Sequence, residues 1–198
     1  MKTTARKIFI GIGILLIIII VIIGIFYGIK TIKNKKLIDE VSKIYTNENI
    51  QEKIENNNDV DLLNLPIENN GKKVIGVLQI DKIDFNGLVY EGTDLDTLKI
   101  GVGHFSSSPF FDGNVCLAAH NTSSFWARLK DLEYDDSIKY ISFLGTREYK
   151  VSNILQINET DFSLLENTDE NIITLITCVK NNRPKRLCVQ ATEINWYE

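Results

Sequence analysis

The feature that most limits what this chain can become is its first uncharged stretch. From Ile8 to Ile29 there are 22 residues without a charged side chain, preceded by Lys2, Arg6 and Lys7. As a helix that span is about 33 Å long, enough to cross a hydrocarbon layer of about 30 Å. Gly11, Gly13, Gly24 and Gly28 lie within it, and glycine is common in membrane helices. A cleaved export signal has a shorter apolar centre and a small-residue cleavage site. Neither is found here, so residues 1–36 are expected to be a short tail and an uncleaved transmembrane anchor.

The remainder is acidic. Residues 1–36 carry seven basic and no acidic side chains, leaving 15 basic against 26 acidic, a net of −11, in the rest. That balance argues against nucleic acid as a partner, because phosphate binding needs clustered Lys and Arg. Lys30, Lys33, Lys35 and Lys36 follow the apolar stretch, so flanking charge alone leans towards the N-terminus outside. A tail of seven residues ahead of a first span seldom needs export. The expected topology is therefore N-terminus cytoplasmic, single-pass in the cell membrane, with the rest of the chain outside.

Residues 37–72 read as a polar linker. Ile38, Val41 and Tyr45 recur at helical spacing, which allows a short amphipathic helix. Gln51 to Gly71 is rich in Asn and acidic residues and holds Pro66, a composition with little to pack. From residue 73 to 198 the pattern changes to strands. Val74–Ile80 is nearly continuous in apolar residues and Phe85–Tyr90 follows it. Thr93 is placed to cap a helical turn over Asp94–Leu98, and His104 sits in a Gly- and Ser-rich loop as a packing residue. Val115–Ala119 is a strand, Phe125–Leu129 a short helix, and Ser137–Phe143 and Glu148–Ile157 are strands split at Gly145. Ile172–Ile176 and a segment starting at about Lys185 form the last pair. Seven to eight strands in about 125 residues, with only short helices, imply a mostly β fold, a closed β-barrel with one core.

Two of those strands end on reactive side chains. Ile172–Ile176 runs into Cys178, and Val115–Ala119 runs into His120. Arg186 lies eight residues past the cysteine. A thiol is the nucleophile when ionised, nearby positive charge favours the thiolate, and a histidine can move the proton. The plain alternative is that Cys178 is a small core residue, as most free cysteines are. Cys116 and Cys188 fall at apolar strand positions and read as buried thiols. A zinc site from Cys116, His120 and Cys178 lacks the usual ligand spacing. Neither metal nor cofactor is expected, and the acidic residues Glu159, Asp161, Glu166, Asp169 and Glu170 read as a solvated loop.

Together, Thr174-Leu-Ile-Thr-Cys178, Arg186 ahead of Gln190-Ala-Thr192, and Ala119-His120-Asn121 resemble the sortases. The resemblance covers roughly Val74 to Glu193, with Ala119 where the family usually has glycine. It implies a sortase-like barrel and a membrane-anchored cysteine transpeptidase, of class A or D rather than B. It further implies Cys178 as nucleophile, His120 as acid and base, and Arg186 as the donor to the reacting carbonyl. Partners implied are LPxTG-like sorting peptides of surface proteins and an amine acceptor from cell-wall precursor or pilin. In some sortases the loop matching 159–170 contributes to calcium binding. A cysteine hydrolase or protease remains an alternative, since water can replace the amine. So does an anchored β-domain that only binds a ligand.

Overall fold

The computed structural model describes residues 2–46 and 67–197. The chain divides into two units, residues 1–39 and 40–198. The helix α1, Lys2–Tyr45, begins in the first unit. From Gly11 on it is long and apolar enough to cross a membrane, and Ile14 to Ile23 are exposed along it. Its last turns belong to the second unit, where Val41 and Tyr45 are buried and Tyr45 donates its hydroxyl proton to the carbonyl of Val74. Within the expected linker over 37–72 the chain is thus helical as far as Tyr45, with Val41 and Tyr45 buried. Its apolar positions four apart share one face, and Tyr45 stacks edge-on against Phe143. The Asn-rich stretch from Gln51 to Pro66 lies outside the described residues.

Nine strands follow: β1 (Glu68–Asn69), β2 (Lys72–Ile80), β3 (Phe85–Glu91), β4 (Val102–His104), β5 (Asn114–Ala118), β6 (Ser137–Ser142), β7 (Gly145–Asn158), β8 (Ile172–Val179) and β9 (Asn182–Tyr197). Eight of them form a barrel in the order β2-β3-β4-β5-β8-β9-β7-β6, closed by pairing of β6 with β2. Closure pairs the two strands that would otherwise be the edges of the eight-stranded sheet, which is how an all-β domain of this size limits edge association. The short β1 is a flap on β2, turned by Asn70 and Gly71. Both have positive φ, 53° and 72°, the geometry of a two-residue hairpin turn.

Alternation along each strand fills the barrel. Val115 and Leu117, Ile173 and Leu175, and Val189 and Ala191 share the core with Trp126, Tyr140 and Tyr149. A short helix, α2 (Leu95–Ile100), joins β3 to β4. Its cap is Asp94, not Thr93: the Asp94 carboxylate accepts the N–H groups of Asp96 and Thr97. A hydrogen bond from Lys72, with further bonds from Thr97, holds the Asp94 carboxyl well below its usual range. His104 ends a strand instead of lying in a loop, and Phe125–Leu129 makes tight turns leading into a single 3-10 turn at Leu129–Asp131.

Two neighbouring pairs in the barrel are parallel, β3 with β4 and β5 with β8. A parallel pair needs a long crossover, here the chain from Ala119 to Asn171. The consequence is positional: the carboxyl ends of β5 and β8 reach the same end of the barrel.

Candidate active site

In the β5–β8 register Ala118 lies opposite Ile176. The residues just beyond, Ala119 and His120 on one strand and Thr177 and Cys178 on the other, are therefore neighbours. Ala119 donates its N–H to the Ile176 carbonyl (3.3 Å), and the buried Thr177 hydroxyl donates to the Ala119 carbonyl (2.7 Å). These bonds end the ladder firmly on both strands. The chain then turns: the His120 carbonyl accepts N–H bonds from Thr122 and Trp126, and Trp126 is fully buried beneath it. His120 itself is half-buried.

Cys178 is exposed, whereas Cys116 and Cys188 are buried and also free. Burial pushes both buried thiols up to about 12, so they stay protonated and inert at neutral pH. Cys178 and His120 line one open cleft of about 830 Å³ at the barrel end, with Asn121, Lys130, Lys180 and Leu187 on its walls. A cysteine and a histidine sharing an open cleft make the pair that thiol-based acyl transfer requires.

Arg186 stands directly across from Cys178 in the β8–β9 pairing, so the two side chains leave the sheet on the same face. It is not among the residues lining the cleft. Its guanidinium donates to the carbonyls of Arg183 (2.7 Å) and Lys185 (3.0 Å) and pairs with Glu159 at 2.8 Å. The strand carrying it begins at Asn182, three residues before the expected start. Between the pairs Cys178–Arg186 and Val179–Asn182 the register breaks, and Arg183 to Lys185 bulge out. Pro184 fits there because a bulge asks for no ladder N–H from it, and its carbonyl accepts from Glu159.

Sequence reasoning missed three residues that build this end of the barrel. In the sequence Thr177 and Asn121 stand out only as members of the motifs, and Glu159 only as one of an acidic group. Asn121 does not bond the His120 ring; its side-chain amide donates to the Cys178 carbonyl at 2.6 Å. Strand parity across a parallel β5–β8 pair is the signal that could have found it.

The acidic loop before β8 is tied down by other bonds. The Asn114 side chain donates to the Leu164 and Glu166 carbonyls, and Asp161 accepts from Ser163. Among the described residues no three His, Cys, Asp or Glu side chains gather in a way that could hold a metal ion. A second acid–base set lies elsewhere: His104 bonds Glu91 through Nδ1 (2.8 Å) and Ser108 through Nε2 (3.1 Å). Burial raises the Glu91 carboxyl, but hydrogen bonds from His104 and Ser106 outweigh it and leave the group below its usual value. His104 is 2% and Ser108 8% exposed, so this trio braces β3, β4 and the following loop.

Comparison with known proteins agrees with this geometry. The family model described as Sortase domain matches residues 78–194. The chain is 31% identical over 127 residues to Sortase D of Bacillus subtilis (strain 168), covering 60% of this chain and 63% of that protein. It is 30% identical over 125 residues to Sortase A of Listeria monocytogenes serovar 1/2a, covering 61% of this chain and 56% of that one. It thus spans about three-fifths of the curated relatives it matches. A Clostridium perfringens Sortase D5 transpeptidase superposes with a TM-score of 0.65 at 25% identity, over 82% of this chain and 98% of that structure.

Proposed function

This chain belongs to the sortase family, and on that footing we propose that it is a membrane-anchored cysteine transpeptidase acting on sorting peptides of surface proteins. The observation that carries the proposal is the shared cleft of Cys178 and His120 at the carboxyl ends of two parallel strands. In the proposed cycle the Cys178 thiolate attacks the backbone carbonyl of an LPxTG-like peptide. The C–N bond breaks, His120 gives its proton to the departing amine, and the acyl group is held as a thioester. An incoming amine from a cell-wall precursor or pilin then gives a proton to His120 and displaces the thiolate, forming a new amide. The thioester keeps the acyl group activated, so the exchange of amides needs no outside energy source. Arg186 would donate to the oxyanion or to the peptide carbonyls next to it.

The test is turnover of a fluorogenic sorting peptide by the full chain in detergent, with and without an amine acceptor. Cys178→Ala and His120→Ala should abolish both cleavage and transfer, while Cys116→Ala and His104→Ala variants that fold should keep them. Transfer by Cys178→Ala would overturn the proposal. Cleavage that never yields an amide product with any amine would instead assign the protein to thiol-dependent hydrolysis.

The same reading places the N-terminus inside the cell and the barrel outside. The apolar helix α1 would be the anchor in that topology. Protease added to wall-stripped cells should digest the barrel; a barrel protected until the membrane is broken would reverse the orientation.

A further inference from the structure

Asn121 occupies a place in the backbone pattern that has a chemical meaning. In the parallel β5–β8 pair, the Ala119 N–H donates to the Ile176 carbonyl. Two residues on, the next rung of such a ladder would run from the N–H of residue 121 to the carbonyl of residue 178. That rung is made by the Asn121 side chain, whose amide nitrogen reaches the Cys178 carbonyl at 2.6 Å. The substitution of a side-chain donor for a backbone donor frees the main chain at His120 to leave the strand direction. It does so into the turn closed by the Thr122 and Trp126 N–H groups on the His120 carbonyl.

We propose that Asn121 is a positioning residue for the reaction: it completes the β5–β8 ladder through its side chain and so sets the distance between His120 and Cys178. The inference rests on the transpeptidase reading above. The bond is placed where it matters mechanically. Cys178 and Val179 flank the break in β8–β9 register, so β9 does not hold the Cys178–Val179 peptide in regular pairing. On the β5 side the Asn121 amide takes that task. Thr177 pins the residue before the cysteine to the residue before the histidine; Asn121 pins the residue after the histidine to the cysteine itself. His120 is the residue spanned by these two ties. It also sits with Asn121 on the wall of the cleft that Cys178 lines.

A small error in the separation of two reacting groups can cost about 10²-fold in rate. Asn121→Ala and Asn121→Asp should each lower kcat for sorting-peptide turnover by about 10- to 100-fold, with KM for the peptide within about twofold. Asn121→Asp keeps the shape and loses the donor, so it separates the hydrogen bond from packing. Asn121→Gln keeps an amide on a half-exposed rim and should recover part of the lost kcat. All variants are assayed in the full chain with Cys178→Ala in parallel, and folding is checked by thermal denaturation. If Cys178→Ala is dead while the Asn121 variants keep wild-type kcat, the positioning role is wrong and the transpeptidase reading stands. A fall in thermal stability with kcat per folded molecule unchanged, or a loss confined to KM, overturns it equally. Turnover by Cys178→Ala removes the reading on which the inference rests.

Discussion

Glu159 and Arg186 make a sharp test of how the arginine works. The guanidinium is paired with Glu159 at 2.8 Å and also bonded to two carbonyls of its own strand. A carbonyl of a bound peptide would have to compete for the same donors. The pair is part-exposed, with 25% of the Arg186 and 45% of the Glu159 side chain open to solvent. Ion pairs in that setting contribute about 0–1 kcal/mol, and 1 kcal/mol is about fivefold in an equilibrium. Glu159→Gln is therefore expected to raise kcat/KM for a sorting peptide by up to about fivefold. The advantage over wild type should shrink in 1 M salt, where the screening length falls to about 3 Å. Arg186→Ala should lower kcat/KM by about 10²-fold or more, the scale of one lost oxyanion donor. Arg186→Lys should restore only part, since an ammonium lacks the planar fork. Arg183→Ala leaves in place the backbone carbonyl that Arg186 uses, so it should cost less than about tenfold. The assay is initial-rate peptide cleavage over a salt series. If Glu159→Gln falls to the level of Arg186→Ala, the ion pair holds Arg186 in its working position, and the competition argument is refuted.

Two further outcomes concern stability. Burial raises the Cys188 thiol from 9.0 to about 12, so the folded state keeps a proton that the unfolded state gives up between those values. This contribution is whole below pH 9, and it is lost as pH climbs towards 12. The destabilisation caused by Cys188→Ala, measured by urea unfolding, should shrink over that window, and a constant difference would contradict the assignment. Tyr45→Phe removes the hydroxyl that donates to the Val74 carbonyl. It should cost about 1 kcal/mol, read from the urea midpoint of the detergent-solubilised chain, and an unmoved midpoint would show that this helix end does not brace the barrel.

Local chemistry is what the sequence by itself determined. A run of 22 uncharged residues is a helix in lipid for reasons internal to the segment, because every backbone polar group must be satisfied along it. The strands that end on His120 and Cys178 were legible because β-branched, apolar runs stop at polar turns. The buried state of Cys116 and Cys188 followed from their apolar positions. A proline that cannot donate marks Pro184 as a poor ladder position, but Arg186 shares the Cys178 face of the sheet only through the β8–β9 register. Where the segments meet depended on pairing between residues far apart in the chain, and no local pattern encodes that. Nothing in Val115–Ala119 or Ile172–Ile176 says that the two strands are parallel neighbours, yet that pairing alone puts the histidine beside the cysteine. The same holds for Tyr45, whose helical spacing with Val41 was plain but whose burial required Phe143 and Val74 as partners. It holds for Glu159, one acid among several in a loop until the β7–β9 pairing placed it against Arg186. Asn121 is the fullest case, since its meaning is a missing rung in a ladder that exists only once the barrel has closed.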